Sequence, residues 1–508
     1  MSEGRASKSQ SINRFENSRS KLFREHRTSR ERRAAFFKNY AWMILVACLL
    51  CTLLMPALTV VLALLFLIVF LFSLPLRKSA NWLLRQPLYD KNEKDRDELT
   101  RSDREKLGIM YLGNARDVDN KALWFSKADL VTHGLVLGTT GSGKTQLLLG
   151  MMNQFAAIGS GFIFCDGKGD VTTWFYLYSI AKELGLEDNI TVINFLTAGQ
   201  TQIGKSAKFS NTLNPFSCGS SDALMEMISG FMGGSGNDSS MWRGRAEALG
   251  RCLLRALCEL RDAGEIDLSI DVIRSSLPLN QLEKLADHPN LSDFAKEGIQ
   301  YYLGELPAWN AYKEASKLNT EEAIIAANDA KKTAYEQHGY LTMQFTKTLE
   351  MLSGTYAHIT KTDLAEVDFK DIITNRRILY VMLPSLEKSP ESLKDLGRMV
   401  VTSIRNALAG LLGGDQLTGE KQFLLDAKPT HAESPFGIFL DEYGSYAVDG
   451  FGDIGAQARS LNISVWFAGQ EFDSFKKGSD IEASRILSNT GIKIFMKTES
   501  DTTTQIAN

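Results

Sequence analysis

The octapeptide Gly138-Thr139-Thr140-Gly141-Ser142-Gly143-Lys144-Thr145 constrains this chain more than any other feature. Its spacing is that of a phosphate-binding loop, and such a loop works only between a strand and a helix. Both neighbours are legible. Leu135-Val136-Leu137 precedes it as a short apolar strand, and Gln146-Leu147-Leu148-Leu149 follows as the start of a helix. The glycines let backbone amides approach phosphate oxygens, and the helix N-terminus favours an anion. Lys144 is placed for the β- and γ-phosphates, and the Thr145 hydroxyl for Mg²⁺. The ordinary alternative is a glycine-rich turn carrying an exposed lysine, which leaves the strand–loop–helix order unexplained.

The rest of the soluble region repeats that alternation. Apolar runs at 134–137, 162–165, 191–195, 378–383, 437–440, 464–468 and 493–496 are separated by helical stretches. Continuous apolar strands of this length predict an α/β fold with a parallel sheet covered on both faces. Ligands of such sheets bind beyond the carboxyl ends of the strands. Between residues 221 and 361 the strand pattern stops, and residues 241–260 and 320–338 read as helix. The expected organisation is a nucleotide-binding domain in two parts, 107–220 and 362–508, with an all-α domain, 221–361, inserted between them.

A phosphate loop needs a metal-side carboxylate. Phe436-Gly-Ile-Phe-Leu-Asp441-Glu442 supplies two acids at a strand end. Asp441 is expected to hold Mg²⁺, and Glu442 to orient or deprotonate the attacking water. Gln470 closes the next strand, where an amide can sense the terminal phosphate; an ordinary polar strand end explains it equally well. Arg459 ends the helical run before that strand and reads either as a residue reaching a neighbour's nucleotide or as a surface salt-bridge partner. Asp166-Gly-Lys168-Gly-Asp170 closes the second strand, with a charge facing nucleotide or fixing the turn. Trp242 reads as a core anchor, and Arg243 and Arg245 as pore-lining or solvated residues.

Residues 41–74 hold no charged side chain. As one straight helix they would run about 51 Å against a hydrocarbon core of about 30 Å. Pro56 near the middle favours a break. The expectation is a transmembrane helical hairpin over 39–75, followed by a linker over 76–106. Residues 1–38 carry eleven Lys or Arg against four Glu, and Arg77, Lys78 and Arg85 follow the second arm. Basic flanks on both sides place both ends in the cytoplasm. The basic tail reads as a topology signal that touches anionic lipid, with nucleic acid as the less expected partner.

Several classes are disfavoured. Six cysteines in 508 residues do not build a disulfide scaffold, and the single Cys-x-x-Cys pair, Cys48 and Cys51, lies inside the apolar run. The six histidines include no His-Glu-x-x-His. The net charge of −3 does not indicate a strongly basic nucleic-acid binder overall.

The segments THGLVLGTTGSGKT, GSGFIFCDGKGD, SNTLNPF, MWRGRA, LAEVDFKDIITNRRILYVMLPSLEKSP and LDEYGSYAVDGFGDIGAQARSL carry a family resemblance across most of residues 107–500. The chain resembles the type IV coupling proteins, the TraD/TraG-like ATPases of conjugation and type IV secretion. Within them it is most similar to the DotL/IcmO branch of type IVB secretion and its I-type plasmid counterpart TrbC. The resemblance implies a RecA-like nucleotide domain with an inserted all-α domain, two transmembrane helices and bacterial inner-membrane location. It also implies a hexamer with ATP and Mg²⁺ at subunit boundaries. It gives Arg459 the role of an arginine acting in trans and Gln470 that of a sensor. Implied partners are channel components and a relaxase–DNA complex or effector and adaptor proteins. Family members continue beyond the point corresponding to Asn508, completing the nucleotide domain and adding an adaptor-docking tail. Two other readings remain open at this level. One is a membrane-anchored DNA translocase of the FtsK/HerA kind; the other is a docking platform that binds ATP without motor activity.

Overall fold

A computed structural model describes residues 107–115, 121–197, 210–232, 237–318, 320–412, 429–448, 450–476, 479–498 and 500–507, with a few positions before residue 107. The chain divides into two compact units, one of residues 1–83, 96–103 and 116–119, the other of 84–95, 104–115 and 120–508. In the first unit Tyr40, Met43, Val46, Val60, Val61, Leu64 and Leu67 are helical and exposed. The remainder of the expected hairpin and the basic tail lie outside the described residues. Among the described residues no helix is long and apolar enough to cross a membrane.

The second unit is built on a seven-stranded sheet. After a hairpin of β1 (Gly108–Ala115) and β2 (Lys121–Ser126) come the sheet strands β3 (Gly134–Leu137), β4 (Phe162–Asp166), β5 (Ile190–Asn194), β6 (Ile378–Met382), β7 (Phe436–Asp441), β8 (Ile463–Gly469) and β9 (Ile492–Phe495). Their spatial order is β9-β3-β8-β7-β4-β6-β5, and every pairing is parallel. These are the expected apolar runs to within a residue or two at each end. Their burial explains the continuous apolar pattern: β3, β4, β6, β7 and β8 are buried along their whole length.

Alternate side chains supply two cores, as the pleat requires. On one face Val136, Phe164, Tyr380, Phe439 and Trp466 pack with Leu148, Met151, Met152 and Phe155 of helix α1 (Lys144–Ala157). Tight packing limits side-chain size locally: a Cβ on Gly134 would fall inside the Trp466 ring. The hairpin is tied to the same helix by Gln154, whose Oε1 accepts from the Tyr111 amide at 2.7 Å and whose Nε2 donates to its carbonyl at 2.9 Å.

On the other face Leu135, Leu137, Ile163 and Ile193 share one continuous core with the helices that follow residue 220. The longest of these are Asn237–Asp262 and Glu321–Glu350. Both extend beyond the stretches legible as helix. Trp242 is partly buried against this core and stacks edge-on with Tyr340 at 6.0 Å. Arg243 is paired with Glu247 and donates to the Ser229 carbonyl, while Arg245 is exposed. The helical region therefore shares its apolar interior with the sheet rather than closing a separate one.

Candidate functional site

Because the strands are parallel, the loops leaving their C-terminal ends converge on one edge. Pairing keeps those ends nearly level: Leu137 opposes Gly469, Leu440 opposes Phe467, and Asp441 opposes Asp166. Four strands therefore deliver four loops to one place. They are the glycine loop from β3, Asp441-Glu442 from β7, Gln470 from β8 and Asp166–Asp170 from β4.

The glycine loop turns through left-handed backbone at Gly141 (φ 78°) and Gly143 (φ 94°), conformations that a β-carbon disfavours. At Gly138 a β-carbon would lie 2.6 Å from Ser142 Oγ and 2.9 Å from Met496 Cβ. Gly138, Thr139, Thr140, Gly141, Ser142 and Gly143 thus form a compact cradle whose entry is fixed by two backbone bonds. Gly138 N donates to the Gly469 carbonyl at 3.1 Å, and Thr139 N to the Lys497 carbonyl at 2.9 Å. Helix α1 then begins with no side chain bonded at its N-cap and no acidic residue in its first turn. Its first amides are therefore left without a side-chain partner, a setting that favours an anion.

Lys144 is only 5% exposed, and its Nζ lies 3.0 Å from Glu442 Oε1 and 3.5 Å from Asp441 Oδ1. Lys168 reaches the same acids from the β4 side, 3.0 Å from Glu442 Oε1 and 3.9 Å from Asp441 Oδ2. Gln470 Nε2 donates to Glu442 Oε1 at 3.3 Å. The two neighbouring carboxyls are pushed apart electrically. Burial dominates at Asp441, 1% exposed, and raises its pKa despite the lysines. At Glu442 burial also opposes the charge, but Lys144 and Lys168 outweigh it and hold the carboxyl below the usual range. Burial likewise opposes the Lys168 charge, yet Asp441 and then Glu442 keep its pKa above the ordinary lysine value.

The backbone is arranged around these groups. Glu442 takes left-handed angles (φ 51°, ψ 37°), a strained state for a residue with a β-carbon. The buried Tyr446 hydroxyl donates to the Asp441 carbonyl at 2.9 Å. Asp166 fixes the adjoining turn: Oδ1 accepts from Lys168 N at 2.8 Å, and Oδ2 from Asp170 N at 2.9 Å and the Tyr380 hydroxyl at 2.8 Å. The two charges left open in the sequence thus separate, Asp166 into the turn and Lys168 onto the acid pair. The flanking Gly167 and Gly169 were the available signal. A β-carbon on Gly167 would press on the Asp441 carbonyl and the Glu442 side chain at 2.8 and 2.9 Å.

Thr145 is half-buried in the first turn of α1. Among the described residues no cluster of three or more His, Cys, Asp or Glu could hold a metal unaided. The donor set of one hydroxyl and one buried carboxylate suits Mg²⁺, which takes few protein ligands and completes its shell with phosphate oxygens and water. Arg459 stands apart. It is exposed in the last turn of the helix Ile454–Ser460, just ahead of the N-terminal end of β8, whereas the site lies at the C-terminal ends. Its own chain does not bring it to the site.

Residues 122–294 match the family described as the type IV secretion-system coupling protein DNA-binding domain. Residues 435–507 match the family described as the TraM recognition site of TraD and TraG. Over 413 residues the chain is 41% identical to the type 4 coupling protein DotL of Legionella pneumophila, covering 78% of this chain and 51% of that one. It thus spans about half the length of that relative. Among solved structures it is similar to plasmid coupling protein TrwB in complex with a non-hydrolysable ATP analogue. That match has 14% identity and a TM-score of 0.44, over 76% of this chain and 73% of TrwB. It is also similar to VirB4 of Thermoanaerobacter pseudethanolicus, with 12% identity and a TM-score of 0.44, over 80% of this chain and 88% of that one. The sheet and its edge site define a parallel α/β protein with a phosphate-loop motif. The chain belongs to the type IV coupling proteins and is a homologue of DotL.

Proposed function

We propose that this chain is the ATPase of a type IV secretion or conjugation system, recruiting substrate and passing it to the transfer channel with energy from ATP hydrolysis. One observation carries the reading. Lys144, Asp441 and Glu442, brought from two strands nearly three hundred residues apart, meet within 3.5 Å beside a glycine cradle and an uncapped helix.

The chemistry follows from the groups. The amides of residues 138–145 take the phosphates, and Lys144 leaves the acid pair for the β- and γ-oxygens. Thr145 and Asp441 would hold Mg²⁺, which when bound would offset phosphate charge. Glu442 orients the attacking water and accepts its proton. Gln470, touching Glu442, registers loss of the terminal phosphate. Arg459, distant from its own site, acts in a neighbouring copy of a hexamer. In this reading the sheet is a RecA-like nucleotide domain of 107–220 and 362–508, with 221–361 as its all-α insertion. The 39–75 hairpin anchors the ring in the bacterial inner membrane, its termini cytoplasmic and its basic tail against lipid. The cargo is a relaxase–DNA complex or effector proteins delivered with adaptors.

Purified protein should hydrolyse ATP in a Mg²⁺-dependent manner, and Lys144→Ala should abolish turnover and weaken nucleotide binding. Unchanged turnover in that variant would remove the reading.

A further inference from the structure

The second lysine of the site is not explained by the phosphate loop. Lys168 is 42% exposed, against 5% for Lys144, so it stands at the mouth of the site rather than in its floor. Its position is imposed by the turn. Asp166 accepts from the amides of Lys168 and Asp170, Gly169 takes φ 65°, and Gly167 has no room for a β-carbon. The turn thus aims one long cation at Glu442 from the side opposite the glycine loop.

Both lysines end on one oxygen, Glu442 Oε1, each at 3.0 Å. A phosphoryl group meeting Lys144 beside Glu442 therefore arrives within a side-chain swing of Lys168. That group carries negative charge toward three carboxylates, those of Asp166, Asp441 and Glu442, so a further cation beside Lys144 and the metal would favour it. A diphosphate meets Lys144 through its β-phosphate but lacks the outer phosphoryl group, the one that would lie beside Glu442.

We propose that Lys168 is a second phosphate-side cation, contacting the terminal phosphoryl group of a bound nucleoside triphosphate and letting the site tell triphosphate from diphosphate. The inference rests on the phosphate-loop reading above. In the nucleotide-free protein Lys168 is held by Glu442. When triphosphate arrives it exchanges that carboxylate for phosphate oxygen, and Glu442, already released by Lys144, loses a second of the three donors crowding its Oε1. Charge-assisted contacts of this kind are short and directional, and they are lost when the cation is removed.

The test is equilibrium binding by the full chain of fluorescently labelled ADP, with unlabelled ADP and a non-hydrolysable ATP analogue as competitors. Lys168→Gln should weaken the ATP analogue about tenfold, the loss of one charge-assisted contact, and leave ADP within about twofold. Lys168→Arg should restore the preference, and Lys144→Ala should weaken both ligands. A wild-type ratio of the two affinities in Lys168→Gln would overturn the proposal, as would equal loss of both ligands, which marks a merely structural lysine. Those outcomes leave the phosphate-loop reading standing. Undiminished binding in Lys144→Ala would instead sink that reading and this inference with it.

Discussion

Gln470 and Glu442 end adjacent strands and share a hydrogen bond of 3.3 Å, from the amide Nε2 to the carboxylate Oε1. The bond couples the strand lying between the glycine loop and the acid pair to the group proposed to activate water. Gln470→Ala should lower ATP turnover about tenfold, the order of one lost polar contact. Equilibrium nucleotide affinity should stay within about twofold. Steady-state turnover alongside binding checks both.

Glu442→Gln keeps the shape of the side chain and its contact with Gln470 but removes the base. Turnover should fall by about two to four orders of magnitude. Mg²⁺–nucleotide binding should persist, since the cradle and Lys144 are untouched. Single-turnover hydrolysis of labelled ATP separates the two effects.

Gly134 tests the packing beneath the loop. Gly134→Ala forces a β-carbon against the Trp466 ring, and both residues are buried in neighbouring strands. The expected loss is about 1–3 kcal/mol of stability, read as a lower denaturant midpoint in chemical unfolding.

His338 gives the fold an acid-side dependence. It is buried between the Tyr302 hydroxyl, 2.7 Å from Nδ1, and the Leu277 carbonyl, 2.8 Å from Nε2. Burial lowers its pKa, and the Leu277 bond only partly opposes that. The folded state thus binds a proton less readily than the unfolded state does. Its contribution to stability is complete above about pH 6.5 and declines as pH falls through the lowered value. His338→Gln should flatten the fall of unfolding temperature between about pH 7 and pH 5. A thermal melt series on both proteins measures it.

The sheet was legible because its strands are buried on both faces. Phe162–Asp166 and Ile378–Met382 read as unbroken apolar runs for that reason. The acid pair and Gln470 were legible because parallel strands end level. Their mutual distances were not, since pairing order joins β7 to β4, and β8 to β3, across long gaps in sequence. The partnership of Lys168 with Glu442 was hidden for the same reason: its turn marks a close approach without naming what approaches. The left-handed backbone of Glu442 carries no sequence signal, because glutamate is not a residue that advertises it. The shared core of sheet and helices was equally hidden. An inserted helical stretch looks the same in sequence whether it buries its apolar side against itself or against its host.

The glycine cradle is gripped from far along the chain. Thr139 bonds through both amide and hydroxyl to the carbonyl of Lys497, 358 residues later, and β9 pairs directly with β3. During synthesis the motif emerges from the ribosome early but gains its lateral support only once β9 has followed. At ordinary translation speeds that interval is tens of seconds. The loop that opens the sheet's site is thus braced by one of the last strands of that sheet to be made.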